Sequence, residues 1–259
     1  MEWYLIIAVV FIGFAAGFIN TLAGSGSLLT LPLLMFLGLP ANVANGTNRI
    51  AILLQNIVGV SSFKQQKILN TKKGLWLSIP TIIGSIIGAQ IAVDLNEDIM
   101  QTTIGCLLVF MFFLIILKPN SWIKEENTNI DNKPSLIQFI IFFFIGLYGG
   151  FIQAGVGLFL LAGLVLGAGI DLVRANALKL FIILLYTPFA LTIFIINNQI
   201  DYKLGLILAV GNMIGSFVAT RIAVKKGAIF VRYFLLVAIF ISALKLLGIF
   251  DWIINLTSI

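Results

Sequence analysis

Two cations lie inside apolar segments of this chain, Arg49 and Lys179, each one to two turns from a segment end. A guanidinium presents a planar fork of donors that suits an oxyanion, and an ammonium presents a point charge. Converging from opposite sides, the pair would bind a small anion. The other reading is that each snorkels to its nearer interface. Both cations belong to polar stripes. Asn45, Asn48, Arg49, Gln55 and Asn56 fall within an arc of about 120° on one helix. Asn176, Lys179, Tyr186 and Thr187 form a second stripe. Polar groups are costly in hydrocarbon, so both stripes should face inward. Arg174 points away from Asn176 and reads as a snorkelling residue, as do Arg232 and Lys245.

Two glycine breaks are the next candidates. Gly24-Ser25-Gly26-Ser27 and Gly155-Val156-Gly157 interrupt apolar runs. Each opens a short helix, whose first amides would attract an anion. The alternative is a break used for close packing. Asn20 and Gln153 just precede the breaks, where they would serve a ligand or free backbone groups. Gly13/Gly17, Gly84/Gly88, Gly146/Gly150 and Gly211/Gly215 are small-residue pairs assigned to helix packing.

The elements that carry these residues are duplicated. Residues 24–93 lie over 155–224 without a gap, at an offset of 131. Gly24 then meets Gly155, Gly26 meets Gly157, and Asn45 meets Asn176. Duplicated units with broken hydrophobic segments point to a transporter site. Ten apolar segments are expected: 4–22, 27–38, 43–63, 74–93, 99–117, 136–154, 158–169, 172–197, 204–222 and 228–248. The second and seventh are too short to span a core of about 30 Å, so they either cross incompletely or re-enter. The expected fold is an all-α polytopic membrane protein. Its two inverted-topology repeats each hold about five apolar segments, one of them short and Gly-broken. Residues 1–118 form the first repeat, 119–134 a cytoplasmic linker and 135–259 the second repeat.

Composition sets the solvent. Of 259 residues, 60% are hydrophobic and 10% charged, against about 25% charged in soluble domains. The mean hydropathy is +1.12. The first apolar run lacks a basic leader and reads as a span rather than a signal peptide. There is no histidine, and Cys106 is the single cysteine. Zinc sites, Cys/His nucleophiles and His-ligated haem are therefore excluded, and no cofactor or metal is expected. No acidic residue lies deep in a segment, so proton coupling through a buried carboxylate has no candidate.

Charge sets the orientation. Lys64, Lys67, Lys72 and Lys73 share one loop, whereas Asp94, Glu97 and Asp98 occupy the next. In the second copy the signs swap: Lys203 and Asp201 in one loop, Arg221, Lys225 and Lys226 in the other. Placing cations inside puts the linker lysines inside and both termini outside. The net charge of +6 then reflects topology, and nucleic acid is not an expected partner.

The motif Gly24-Ser25-Gly26-Ser27, then Pro32, Gly38, Pro40 and Ala44-Asn45-Gly46-Thr47-Asn48 resembles the TauE/SafE (TSUP) family of sulfite and organosulfonate permeases. The resemblance covers essentially the whole chain. In the second half Gly163 stands where the family pattern has proline, and Ala177-Leu178 where it has Gly-Thr. The resemblance implies an inner-membrane exporter of sulfur oxyanions or sulfonates.

The candidate substrate-binding residues are therefore Asn20, Gly24, Ser25, Gly26, Ser27, Asn45, Gly46, Thr47, Asn48, Arg49, Gln55, Asn56, Gln153, Gly155, Gly157, Asn176, Lys179 and Tyr186. The expected function is secondary transport of a small anion, sulfite or an organosulfonate, by alternating access at midplane. The alternative is a membrane scaffold or assembly subunit without a transport cycle. An enzyme is not expected, since the serines at 25 and 27 have no visible base. The lipid bilayer and a small anion are the expected partners, and monomer and homodimer both stay open.

Overall fold

The computed structural model describes residues 2–69, 71–104, 106 and 134–246, with side chains as far as Lys226. The described residues form helices and turns, with no strand among them. We label the helices α1 (Trp3–Ala23), α2 (Ser27–Phe36), α3 (Ala41–Gln65), α4 (Thr71–Asp94), α5 (Leu136–Phe151), α6 (Val156–Val165), α7 (Leu172–Ile196) and α8 (Tyr202–Leu246). Residues 97–104 are also helical. Length and composition suffice for a membrane crossing in α1, α4, α7 and the Tyr202–Lys226 part of α8. Helix α3 has the same 25 residues as α7, but its polar stripe lowers its hydropathy.

Several backbone features recur at the offset of 131 residues. Helix α3 recurs as α7 at the offset of 131 residues. Among the described residues, left-handed backbone occurs at Gly24, Gly38 and Lys67, and again at Gly155, Gly169 and Asn198. Each of the second three lies 131 positions after its counterpart. The short helices α2 and α6 have 10 residues each, about 15 Å of rise. Both follow a glycine break, as the sequence predicts.

Local chemistry explains the helix starts. Asp171 caps α7 by accepting from the amides of Val173 and Arg174. Asp201 accepts from the Leu204 amide at the start of α8. Ser135 and Gln138 form a capping box on α5. All three caps lie at element ends, which keeps these polar groups out of the apolar interior.

Small residues set the packing. Gly13 and Gly17 of α1 meet Leu208 and Asn212 of α8, while Gly211 and Gly215 of α8 meet Val10 and Phe14 of α1. Gly84 and Gly88 of α4 meet Phe143, Leu147 and Phe151 of α5, and Gly146 and Gly150 of α5 meet Thr81 and Ser85. A Cβ at any of these glycines would overlap the opposing backbone. These are the small-residue pairs expected from the sequence, used reciprocally. The matching order of contacts shows that α1 and α8 run in the same direction, as do α4 and α5.

Further contacts fix the remaining directions. Helix α3 follows α8, through Gln55 with Asn212, Ser62 with Thr220 and Gln65 with Arg221. Helix α7 follows α4, through Gly74 against Leu178 and Gln199 donating to the Val93 carbonyl. Asn42 at the start of α3 donates to Leu95, just beyond the end of α4. So α1, α3 and α8 run one way, and α4, α5 and α7 run the other.

One expectation is corrected. The segments expected at 204–222 and 228–248 are not separated: Tyr202–Leu246 is one 45-residue helix, α8. In the first copy the chain breaks after α4, and Asn96 caps the next helix by accepting from the Ile99 amide. The equivalent position in the second copy is Gly227, and there the helix runs on without a break. At about 68 Å, α8 exceeds a single crossing of the bilayer core. Most of segment 99–117, the linker before Pro134 and the tail 249–259 lie outside the described residues.

The two glycine breaks touch. Gly24 is left-handed, with φ 76°, and a Cβ there would overlap the Gly157 backbone. Gly38 is also left-handed, but a Cβ there meets nothing within 4 Å. Gly24→Ala should therefore cost about 3 kcal/mol, from strain plus overpacking. Gly38→Ala should cost about 1–2 kcal/mol, from strain alone. Thermal unfolding of the two variants in detergent measures the difference, and equal losses would contradict the contact as its cause.

Candidate functional site

Both polar stripes face the interior. Asn45, Asn48, Arg49, Gln55 and Asn56 of α3 are fully buried, as are Asn176, Lys179, Tyr186 and Thr187 of α7. Polar residues off the stripe are buried as well, Thr47 at the Asp201 amide and Ser62 against Thr220 of α8. Neither Arg49 nor Lys179 snorkels; each is 0% exposed. Arg174 is exposed and pairs with Asp171 at 3.3 Å.

Each buried cation holds the end of a broken helix from the other half. Arg49 Nη1 donates to the Gly149 carbonyl at 3.0 Å, and Nη2 donates to the Gly150 carbonyl at 2.6 Å. These carbonyls belong to the last turn of α5, where no further helical amide follows. Lys179 Nζ donates to the carbonyls of Asn20 and Thr21 at 2.9 and 2.8 Å, in the last turn of α1. Helix C-termini carry partial negative charge, which suits a cation without a carboxylate partner. Arg49 also stacks over the Phe194 ring, 4.6 Å from Cζ to the centroid.

Amides organise both contacts. Gln153 Oε1 accepts from Arg49 at 3.4 Å, and Gln153 Nε2 donates to Tyr186 Oη at 3.0 Å. Asn45 donates to the Phe151 carbonyl. Asn176 accepts from Lys179 at 2.7 Å and donates to the Leu22 carbonyl. Asn20 donates to Gln55 rather than to free backbone at its break. Asn48 bridges the two hydroxyls of Ser27 and Thr30, tying α3 to α2.

The remaining predicted residues separate into three groups. Gly24 and Gly157 meet directly, Gly155 starts α6 in left-handed conformation, and Gly26 packs on Ala16 and Asn20. Ser25 is buried at the break. Gly46 and Thr47 pack against the turn between α7 and α8, where Thr47 accepts from the Asp201 amide. Asn56 donates to its own helix at Ile52. The sequence reading omits Asn212, Thr30 and Phe194. Asn212 donates to Gln55 from α8; its signal was a lone amide inside segment 204–222. Phe194 carried none, because aromatic residues are common in every segment.

Removing Arg49 would strip its donors from the Gly149 and Gly150 carbonyls, and removing Lys179 would strip its donor from the Thr21 carbonyl, while the Asn20 carbonyl keeps the Gly24 amide. Arg49→Met and Lys179→Met should each destabilise the protein by about 3 kcal/mol. Thermal unfolding in detergent checks this, and a neutral result at both positions would contradict the capping role.

Comparison with known proteins agrees with a membrane carrier. The chain is 27% identical over 235 residues to a probable membrane transporter protein of a Sinorhizobium species, covering 91% of this chain and 89% of that one. It is 25% identical over 238 residues to the probable membrane transporter protein YfcA of Escherichia coli, covering 92% and 87%. A Haemophilus influenzae protein described in the same words is 23% identical over 242 residues, covering 93% and 94%. No solved structure matches the chain. The sequence pattern of the sulfite exporter TauE/SafE family matches residues 9–246, and the chain belongs to that family of membrane transporters.

Proposed function

We propose that this protein is a secondary transporter that exports a small anion, sulfite or an organosulfonate, through a site between two inverted repeats. The observation that carries the reading is the pair of broken helices meeting among fully buried cations, with no carboxylate paired to them among the described residues. Such a centre is electropositive, so a small anion is the ligand that complements it. The family name supports the sulfur oxyanion class. The remaining stripe residues, from Asn45 and Asn48 to Gln55 and Tyr186, supply neutral donors around the cations.

Inversion is supported by the helix directions. Counterparts α1 and α5 run oppositely, as do α3 and α7, and α4 and α8. It is also supported by charge. Lys64, Lys67, Lys72, Lys73, Arg221, Lys225 and Lys226 gather at one end of the bundle, and Asp94, Glu97, Asp98 and Asp201 at the other. We place the basic end in the cytoplasm and both termini outside an inner membrane. Residues 1–118 and 135–259 are the two repeats, joined by a cytoplasmic linker. An inside-negative potential favours anion exit by about 2.3 kcal/mol per charge per 100 mV, so export needs no buried proton carrier.

The close contact of Gly24 with Gly157 favours a second reading, a closed membrane scaffold. Proteoliposome flux of sulfite, sulfate, thiosulfate and alkanesulfonates, with and without an imposed potential, separates the two. Transport predicts flux of sulfite or a sulfonate that follows the potential, and a loss of about tenfold or more in Arg49→Gln. No flux of any anion would leave the scaffold. Single cysteines at Lys67 and Asp98, in a Cys106→Ala background, should label from opposite faces. Labelling from one face would contradict the orientation.

A further inference from the structure

We infer that the two buried cations have different jobs: Arg49 is the one that grips the anion, and Lys179 is a fixed brace. This rests on the transport reading above and deepens it. An ammonium has three N–H donors and a guanidinium has five. Lys179 has three acceptors within range: the Asn20 carbonyl at 2.9 Å, the Thr21 carbonyl at 2.8 Å and Asn176 Oδ1 at 2.7 Å. Its capacity is filled by short bonds from the protein.

Arg49 is unfilled. Its Nε is buried and has no hydrogen-bond partner among the described residues. Its Nη2 makes one short bond, to the Gly150 carbonyl, and otherwise reaches only Asn45 Oδ1 and the Phe151 carbonyl at 3.5 Å. A buried charged donor without an acceptor is expensive, and native proteins keep few of them. One edge of this guanidinium therefore combines an unpartnered donor with a weakly held one. Two oxygens of one oxyanion match such an edge in a bidentate bond. Phe194 covers a face of the guanidinium, which leaves the edge as the side for a ligand. Gln153 acts as a positioning residue, since it binds both Arg49 and Tyr186.

The selectivity follows from the geometry. An SO3 group, whether in sulfite or in a sulfonate, supplies two oxygens to the edge. A carboxylate also does so, whereas chloride offers one centre that meets both donors only at bent angles. The grip on the α5 end survives anion binding, because Nη1 and the short Nη2 bond are not needed for it.

The test is anion protection of the purified full-length protein against thermal unfolding, using sulfite, ethanesulfonate, acetate and chloride. Arg49→Lys keeps a cation at the α5 end but replaces Nε and both Nη groups with a single nitrogen. It should need about tenfold more sulfite or ethanesulfonate for half-protection, measured against its own anion-free unfolding midpoint. Lys179→Gln and Lys179→Arg should show the reverse pattern, losing thermal midpoint more than anion sensitivity. Chloride should protect least. Equal loss of anion sensitivity at both positions, or loss at Lys179 alone, overturns the division of labour and leaves the transport reading standing. An unaltered protein that no anion protects overturns both.

Discussion

The fold depends on how two unpaired cations are accommodated in an apolar interior. A buried charge without compensation is costly enough to neutralise itself or to unfold its surroundings. Among the described residues no carboxylate pairs with either cation. The compensation comes from backbone carbonyls in the last turn of each broken helix, one of which, Asn20, also accepts from the Gly24 amide. The break and the cation need each other: the break exposes carbonyls, and the cation makes that exposure tolerable in hydrocarbon. Each contact also crosses between the halves, so α3 holds α5 and α7 holds α1.

Glycine supplies the other half of the constraint. The polar stripes can meet the helix ends only if the helices approach closely. Small residues at Gly13, Gly17, Gly84, Gly88, Gly146, Gly150, Gly211 and Gly215 permit that approach. Between hydrocarbon-facing helices there is little hydrophobic drive, and close contact substitutes for it. The Gly24–Gly157 contact is the innermost example. It brings the two breaks to one point and leaves the polar groups of α3 and α7 around it.

Much of this was legible in the sequence because it is periodic or compositional. The inward stripes follow from placing Asn45, Arg49 and Asn56 at helical spacing among isoleucines and leucines. The packing role of the small-residue pairs follows from their spacing of four. The short helices follow from glycine pairs inside apolar runs. The acceptors of Arg49 and Lys179 were not legible, because backbone carbonyls have no residue type to read. An anion was the natural partner to imagine, yet the first partners are helix ends. The continuity of α8 was hidden for a related reason: a cluster of Arg221, Lys225 and Lys226 reads as a loop, but nothing there stops a helix. Asn212 reads as a lone amide because its partner, Gln55, lies 157 positions away.

The proposed transport cycle gives the unlike cations a consequence. In it the halves exchange roles while the anion meets the same guanidinium. Ser25 and Val156 sit at the two breaks and are both buried in this closed arrangement. The central claim is that this junction opens in turn to each side of the membrane. Ser25→Cys and Val156→Cys in a Cys106→Ala background, probed with a membrane-impermeant thiol reagent from either side, test it most directly. The account predicts labelling of each position from one side, at rates that sulfite changes at both. Protection of both positions from both sides, with and without sulfite, would contradict it.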